Sequence, residues 1–140
     1  MSRVLGIDFG TRRIGLALSD PTGTLASPLS FLENTGLPEV TTKLKELIGK
    51  HGVQIVVIGL PRNMDGTYGP SAEKVRHFIN HIQPHLSAQI ISQDERLTTA
   101  QATRDLSLIG LSRKDLRKKV DSSAASLILQ QFLDRSQLRP

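Results

Sequence analysis

The architecture of this chain follows from one stretch near its start, VLGIDFGTRRIGLALS at residues 4–19. Two runs of Val, Ile, Leu and Phe flank the tight sequence GTRR at 10–13, which predicts two antiparallel strands joined by a short turn. We expect Gly10 to supply the positive φ that a tight hairpin requires. The stretch therefore predicts a β-hairpin as the first element of the fold.

One charged residue, Asp8, interrupts the first apolar run. Strand alternation places Asp8 on the same face as Val4 and Gly6, so its carboxylate lies at the rim of the core. An ionised group in that position needs a partner, commonly a metal ion or a base. On this stretch alone, a carboxylate that caps the turn through its own backbone is an equally good interpretation.

Length and composition bound the class of protein. At 140 residues, we expect a single domain over residues 1–140. The absence of cysteine excludes disulfides and Cys-containing zinc sites, and the lack of a long apolar run argues against a signal peptide or a membrane span. We therefore expect a soluble, cytoplasmic protein. Lys plus Arg outnumber Asp plus Glu by 18 to 13, for a net charge of +5, which favours a polyanionic partner.

The rest of the chain alternates strand and helix signals, with boundaries set by Gly, Pro and capping residues. These signals predict a strand at 25–32, a helix from Pro38 to Gly49 or Gly52, a strand at 55–58, a helix from Pro70 to about Pro84, a strand at 88–93, helices after Thr98 and Ser112, and a last helix from Asp121 to Leu133.

The run IVVI at 55–58 contains no polar residue, which is typical of a strand buried on both faces of a parallel, helix-covered sheet. A right-handed crossover brings this strand beside the first one, which becomes central. The order predicts an α/β fold with a mixed five-stranded sheet, three antiparallel strands followed by two parallel ones, flanked by helices. This is the plan of the ribonuclease H-like fold.

Three acidic residues stand out: Asp8 on the first strand, Glu95 at the end of a later strand, and Asp121 at the start of the last helix. Asp121 shares a helical face with Ala125 and Ile128, so we expect it to face the sheet, which is compatible with a role as N-cap. Converging carboxylates repel each other unless cations compensate them, and Mg²⁺ or Mn²⁺ bound through oxygen is the usual solution. Such ions support phosphodiester hydrolysis.

Four motifs follow one another along nearly the whole chain: IDFGT at 7–11 with IGLA at 14–17, GLP at 59–61 with NMDGT at 63–67, DERLTT at 94–99, and KVD at 119–121 with AA at 124–125. Together they resemble the YqgF family, a Holliday-junction-resolvase-like group also described as a pre-16S ribosomal RNA nuclease. The first motif alone is weak evidence, because actin-like ATPases carry a similar hairpin.

The resemblance implies a ribonuclease H-like fold and a role in maturing the 5′ end of small-subunit ribosomal RNA. It also implies that Asp8, Glu95 and Asp121 are the catalytic acidic triad and the metal ligands. Holliday junction resolvases have four carboxylates, and the nearest candidate for a fourth here is Asp94. Strand alternation sends Asp94 to the opposite face from Glu95, which leaves open whether one or two metals bind.

Basic residues surround the predicted active edge of the sheet. The segment RKDLRKK at 113–119 has five bases and one acid just before Asp121, which favours contacts with phosphates, although a solvated helix face is the alternative. We expect a mobile rim at 61–69 that orders over the substrate. The residues predicted to bind nucleic acid are Arg12, Arg13, Arg62, Asn63, Arg96, Arg117, Lys118 and Lys119.

The leading hypothesis is a metal-dependent endonuclease that acts on structured RNA, with pre-ribosomal RNA as its partner, or on branched DNA. The alternative is a non-catalytic nucleic-acid-binding protein of the same fold that acts as a processing or transcription factor. An actin-like ATPase or sugar kinase needs a second domain, for which 140 residues leave no room. The sequence leaves monomer and homodimer equally open.

Overall fold

The computed structural model describes residues 3–63, 65–95 and 124–135. The strands are β1 (Arg3–Phe9), β2 (Arg13–Ser19), β3 (Ala26–Pro28), β4 (Leu32–Glu33), β5 (Val53–Pro61) and β6 (Gln89–Glu95). The helices are α1 (Leu37–His51), α2 (Pro70–Ile82), which continues into a 3₁₀ turn (Gln83–His85), and α3, which covers residues 124–135.

The strands form one mixed sheet in the order β3-β2-β1-β5-β6, and β4 also pairs with β2. The β1–β2 pair is antiparallel, whereas β1–β5 and β5–β6 are parallel, so β1 is central as predicted. The third strand predicted at 25–32 is instead two short strands, β3 and β4, which makes six strands where five were expected. Pro28 ends β3, because proline has no N–H with which to continue the ladder.

Local sequence accounts for the helix limits. Proline stands in the first turn of both α1 and α2, where the missing N–H costs nothing. Of the two predicted stops for α1, the helix ends at Gly52, which adopts the left-handed conformation (φ 65°) and donates its N–H to the carbonyl oxygen of Ile48. Each of the described helices is too short or too polar to cross a membrane.

Helices cover both faces of the sheet. On the face covered by α1 and α2, here called the α1–α2 face, Ile7 and Ile58 pack with Leu44 of α1 and Phe78 of α2. The opposite face, here called the α3 face, buries the following residues: Val4, Ala17, Val57, Ala125, Ile128, Leu129 and Leu133. The buried stripe predicted for the last helix at 125 and 128 is thus confirmed.

Two glycines of the opening stretch are required by space. A Cβ on Gly6 would lie 2.8 Å from the Cβ of Leu129 and 3.0 Å from the carbonyl oxygen of Ala125, so only glycine lets α3 lie directly against β1. The prediction that Gly10 adopts a positive φ was wrong, since Gly10 is not among the glycines with positive φ. Its Cβ would instead lie 2.3 Å from the carbonyl oxygen of Arg13, because the turn folds back so closely.

Candidate active site

Asp8 lies near the carboxyl end of the central strand and is half-buried. Gly6, two residues earlier, packs against α3, and strand alternation therefore places Asp8 on the α3 face. Its register partner on β2 is Gly15. Because glycine has no side chain, Gly15 places no side chain beside the Asp8 carboxylate on the β2 side of its strand.

The parallel strands extend this arrangement across the sheet. Ile7 pairs with Ile58 of β5, and Ile58 pairs with Ser92 of β6. The next residues along these three strands are Asp8, Gly59 and Gln93, which therefore lie at one level of the sheet. A second glycine thus lies beside Asp8 on the β5 side, and the carboxyl ends of three strands meet at this edge.

Gln93 fastens the end of β6 to the covering helix. Its side chain is 5% exposed, and its Nε2 donates to the carbonyl oxygen of Ile128 at 2.8 Å and lies 3.3 Å from Oε1 of Gln131. Glu95, the last residue of β6, lies two positions beyond Gln93 and in register with Pro61. The bond to Ile128 therefore fixes α3 against the strand end that carries Glu95.

A second glutamine holds the other side of the helix. Gln130 accepts a hydrogen bond from the backbone N–H of Ala26 at 2.9 Å, and its Nε2 donates to the carbonyl oxygen of Thr24 at 2.9 Å. Helix α3 is thus attached to β6 on one side and to β3 on the other. Sequence reasoning did not identify either glutamine, although a polar Gln93 at an inward position of an apolar strand was a usable signal.

The predicted triad is only partly within the described residues. Asp8 is described in full, Glu95 is described as the end of β6 without its side chain, and Asp121 lies outside the described residues. Within the ranges 3–63, 65–95 and 124–135, no three His, Asp or Glu side chains are grouped closely enough to hold a metal ion. Also outside are four predicted nucleic-acid contacts: Arg96, Arg117, Lys118 and Lys119.

The carboxylate of Asp94 forms hydrogen bonds with the loop at 61–69. Its Oδ2 accepts a hydrogen bond from Nη1 of Arg62 at 3.1 Å, and its Oδ1 accepts one from the hydroxyl of Tyr68 at 2.8 Å. The bond to Asp94 raises the pKa of Tyr68, because it stabilises the protonated hydroxyl. Asp94 pairs in register with Leu60, which belongs to the core of the α1–α2 face. This position agrees with the expectation that Asp94 lies away from the Asp8 side.

The loop at 61–69 has a defined internal structure. Nε of Arg62 donates to the carbonyl oxygen of Gly66 at 2.7 Å, and Nδ2 of Asn63 donates to Oγ1 of Thr67 at 3.0 Å. The Thr67 hydroxyl and N–H both donate to Asp65, which lowers the pKa of that carboxyl. The predicted roles of Arg62 and Asn63 in binding nucleic acid, and the ordering of the loop over a substrate, stay predictions.

The turn that follows Asp8 is braced from one side. Nδ2 of Asn34 donates to the carbonyl oxygen of Gly10 at 3.0 Å, and the Asn34 N–H donates to the carbonyl oxygen of Arg12 at 2.8 Å. Arg12 is exposed at the tip, while the Arg13 guanidinium lies 5.1 Å from the ring centre of Phe31. Of these two predicted phosphate contacts, Arg12 has the more accessible position.

Comparison with known proteins gives one consistent family. A family model described as "RuvX: Holliday junction resolvase" matches residues 2–135. Relatives named "Putative pre-16S rRNA nuclease" include one from Moorella thermoacetica, 46% identical over 95% of both chains. Another is from Pelotomaculum thermopropionicum, 44% identical over 99% of this chain and 90% of the relative. A third, from Clostridium kluyveri, is 43% identical over 95% of this chain and 97% of the relative.

Solved structures resemble the chain in fold. Thermus thermophilus RuvC, solved in complex with a Holliday junction substrate, has a TM-score of 0.56 at 11% identity and is matched over 99% of this chain and 97% of its own. Fowlpox virus resolvase, in complex with Holliday junction DNA, has a TM-score of 0.55 at 15% identity, over 98% and 99%. The ribonuclease H-like fold predicted from the sequence is therefore confirmed.

Proposed function

Since the chain belongs to the RuvX family, the same group that its sequence motifs resemble, we propose that it is a metal-dependent endonuclease that matures the 5′ end of pre-16S ribosomal RNA. The observation that carries this proposal is the placement of Asp8. It lies near the carboxyl end of the central strand, with glycine beside it at Gly15 and Gly59 and with the end of β6 at the same edge.

The donor set fits a hard divalent cation. The three residues proposed as ligands, Asp8, Glu95 and Asp121, offer only carboxylate oxygens, and oxygen is the ligand that Mg²⁺ and Mn²⁺ prefer. The two neighbouring glycines, Gly15 and Gly59, place no side chain that would compete with a ligand for the Asp8 carboxylate. When bound, the metal supplies an activated water and stabilises the leaving oxygen of a phosphodiester.

The remaining steps concern the residues of the chain itself. We assign to Asp8 the central position, because it lies on the innermost strand and is half-buried, where solvent screens its charge less. Gly6 and Gln93 position the site without touching substrate, since they hold α3 against β1 and β6. Asp121 precedes the described part of α3 by three residues, so a displaced helix would also displace that carboxylate.

Charge supports nucleic acid as the partner. The chain has a net charge of +5, and Arg12 is exposed on the turn that directly follows the strand of Asp8. Cations in this position neutralise backbone phosphates and make binding strongly dependent on salt. We assign the same role to Arg13, Arg62, Arg96, Arg117, Lys118 and Lys119, and we assign Asn63 a hydrogen bond to substrate.

Cleavage of branched DNA is the second candidate. The observation that favours it is the match of residues 2–135 to a family described as a Holliday junction resolvase. We rank it below RNA processing because the relatives that are 43–46% identical are named for pre-16S rRNA. A non-catalytic processing factor is the third candidate. The presence of all three proposed acidic residues, Asp8, Glu95 and Asp121, argues against it.

The test compares wild type with Asp8→Asn, which keeps the size of the side chain and removes its charge. Labelled pre-16S RNA and a four-way DNA junction are each incubated with Mg²⁺, Mn²⁺ or a chelator. We expect wild type to cut the RNA with metal only, and Asp8→Asn to reduce the rate by at least about a hundredfold. Glu95→Gln and Asp121→Asn should reduce the rate to a similar extent as Asp8→Asn.

The matched control is Glu46→Gln, which removes one negative charge from an exposed position of α1 and should leave the rate unchanged. Circular dichroism confirms that each variant is folded. Cleavage by Asp8→Asn at the wild-type rate would show that Asp8 does not belong to the site. Preferential cutting of the junction would instead select the second candidate.

A further inference from the structure

A cleft of about 450 Å³ opens on the α1–α2 face beside the β1–β2 turn. Its apolar wall is formed by Phe9, Leu37 and Phe78. The polar residues that line it include Asn34, Lys74, His77 and Glu73, and the carboxylate of Glu73 is neutralised by Arg76 at 2.7 Å. This volume lies within the range of about 300–1,000 Å³ that is typical of small-ligand sites. The cleft is separate from Asp8, whose side chain lies on the other face of the sheet.

The cleft has the chemistry that recognises a nucleotide. The ring of Phe9 stacks on that of Phe78 with centroids 4.4 Å apart, and Phe78 is fully buried while Phe9 is half-buried. The ring of Phe9 is therefore partly exposed while it packs on the buried ring of Phe78. Lys74 and His77 are exposed on the same cleft and supply a cation and a hydrogen-bonding ring. A planar base linked to an anionic phosphate complements this combination.

The position of the cleft connects it with the proposed catalytic edge. Phe9 directly follows Asp8 on β1, and alternation directs the two side chains to opposite faces of the sheet. Thr11, which also lines the cleft, lies on the turn that carries the exposed Arg12. A strand of nucleic acid that crosses this turn therefore reaches Asp8 on one side and the cleft on the other.

We propose that the cleft binds an unpaired base of the strand that is cut, within a few nucleotides of the scissile phosphate. This inference rests on the proposed nuclease function and specifies its substrate class as nucleic acid with unpaired nucleotides beside the cut. A base inside a duplex cannot enter, because stacking and pairing enclose it and extruding it costs free energy. The cleft thereby discriminates single-stranded from fully paired substrate.

The experiment measures binding in the Asp8→Asn background, in which substrate stays intact. Single-stranded oligonucleotides contain 2-aminopurine at one position each, and blunt duplexes of the same sequence serve as the comparison. We expect the fluorescence to change on binding at one or two positions of the single strand, because a base that leaves its stacked neighbours for the cleft has new surroundings. Adding Phe9→Leu, which keeps the apolar volume, should abolish this change and weaken single-strand binding about five- to a hundredfold. Duplex affinity should not change.

A pair of charge variants provides the matched control. Lys74→Glu at the cleft and Lys43→Glu at an exposed position of α1 change the net charge equally. We expect Lys74→Glu to weaken single-strand binding several-fold more than Lys43→Glu. The inference is overturned if the fluorescence changes at no single position, if Phe9→Leu weakens single-strand and duplex binding equally, or if the two lysine variants behave alike. Failure of the proposed function would appear separately, as wild-type protein that binds but cuts no RNA.

Discussion

The two faces of the sheet differ in the side chains and contacts that attach their helices. The α1–α2 face is filled by large side chains such as Ile7, Leu44, Ile58 and Phe78, which interlock over two helices. Among the described residues, the α3 face packs smaller side chains such as those of Val4, Ala17 and Ala125, and α3 lies directly against β1 at Gly6. Apolar volume stabilises the first face, whereas close backbone contact and hydrogen bonds locate the second.

This difference indicates that the position of α3 relative to the sheet is held more precisely than apolar packing alone would require. The side chains of Gln93 and Gln130 join α3 to the two edges of the sheet, at β6 and at β3, through hydrogen bonds of 2.8 and 2.9 Å. Such bonds fix direction as well as distance. A hydrophobic contact tolerates small shifts, but a carboxylate that is proposed to hold a metal ion together with two others would not. The face that carries Asp8 is accordingly the one with the directional contacts.

The largest expected effect on stability is on the α1–α2 face. Leu44→Ala should lower the free energy of unfolding by about 2–5 kcal/mol, because Leu44 is fully buried and its removal leaves a cavity. Denaturant titration measures this change. The rate per folded molecule should stay near that of wild type, since the cavity lies on the other side of the sheet from Asp8. A large fall in this rate at a temperature where the variant is folded would show that the α1–α2 face also controls the position of the site.

Gly6→Ala should have a smaller effect on stability and a larger one on activity. One added methyl group meets Leu129 and the Ala125 carbonyl, so α3 must move away, at a cost of about 1–3 kcal/mol. We expect the cleavage rate to fall at least about tenfold, because the proposed ligand Asp121 shortly precedes the described part of α3 in the sequence and catalysis depends on its position. Wild-type kinetics in Gly6→Ala would show that the helix position does not control the site.

The smallest effect concerns the loop at 61–69, which connects β5 with α2. Hydrogen exchange should show the N–H groups of Asn63, Gly66 and Thr67 protected several-fold in the free protein, because each donates a hydrogen bond within the loop. Tyr68→Phe, which removes the bond to Asp94, should reduce this protection. Amides of β5 serve as the internal reference and should not change.

Binding of a nucleic-acid ligand sharpens the same measurement. If the loop is a rim over the substrate, residues 62–68 gain further protection when the ligand binds. Exchange across these residues that stays the same while the Asp8 region becomes protected would assign the loop a purely structural role. Fast exchange in the free protein would contradict the internal hydrogen bonds.

Much of the fold was predictable because local patterns and global packing agree. The IVVI run could be interpreted as a buried parallel strand because a strand that is apolar on both faces has no other stable environment. Helix starts at proline and the stop at Gly52 follow from backbone chemistry that needs no partner. The split of the third strand was missed, because the short β3 and β4 depend on pairing with β2 rather than on their own sequence.

The sequence by itself determined the opening hairpin, the helices that begin at proline, the positions of Asp8 and Glu95 near strand ends, and the family, since these depend on residue types and spacing along the chain. Only the tertiary structure decided which neighbours surround Asp8, namely the glycines at 15 and 59. It also decided that Gln93 and Gln130 attach α3, and that Gly10 is needed for space rather than for its φ. The physical reason is that register, close approach and hydrogen-bond partners join residues far apart in the chain, and no local pattern specifies those distances.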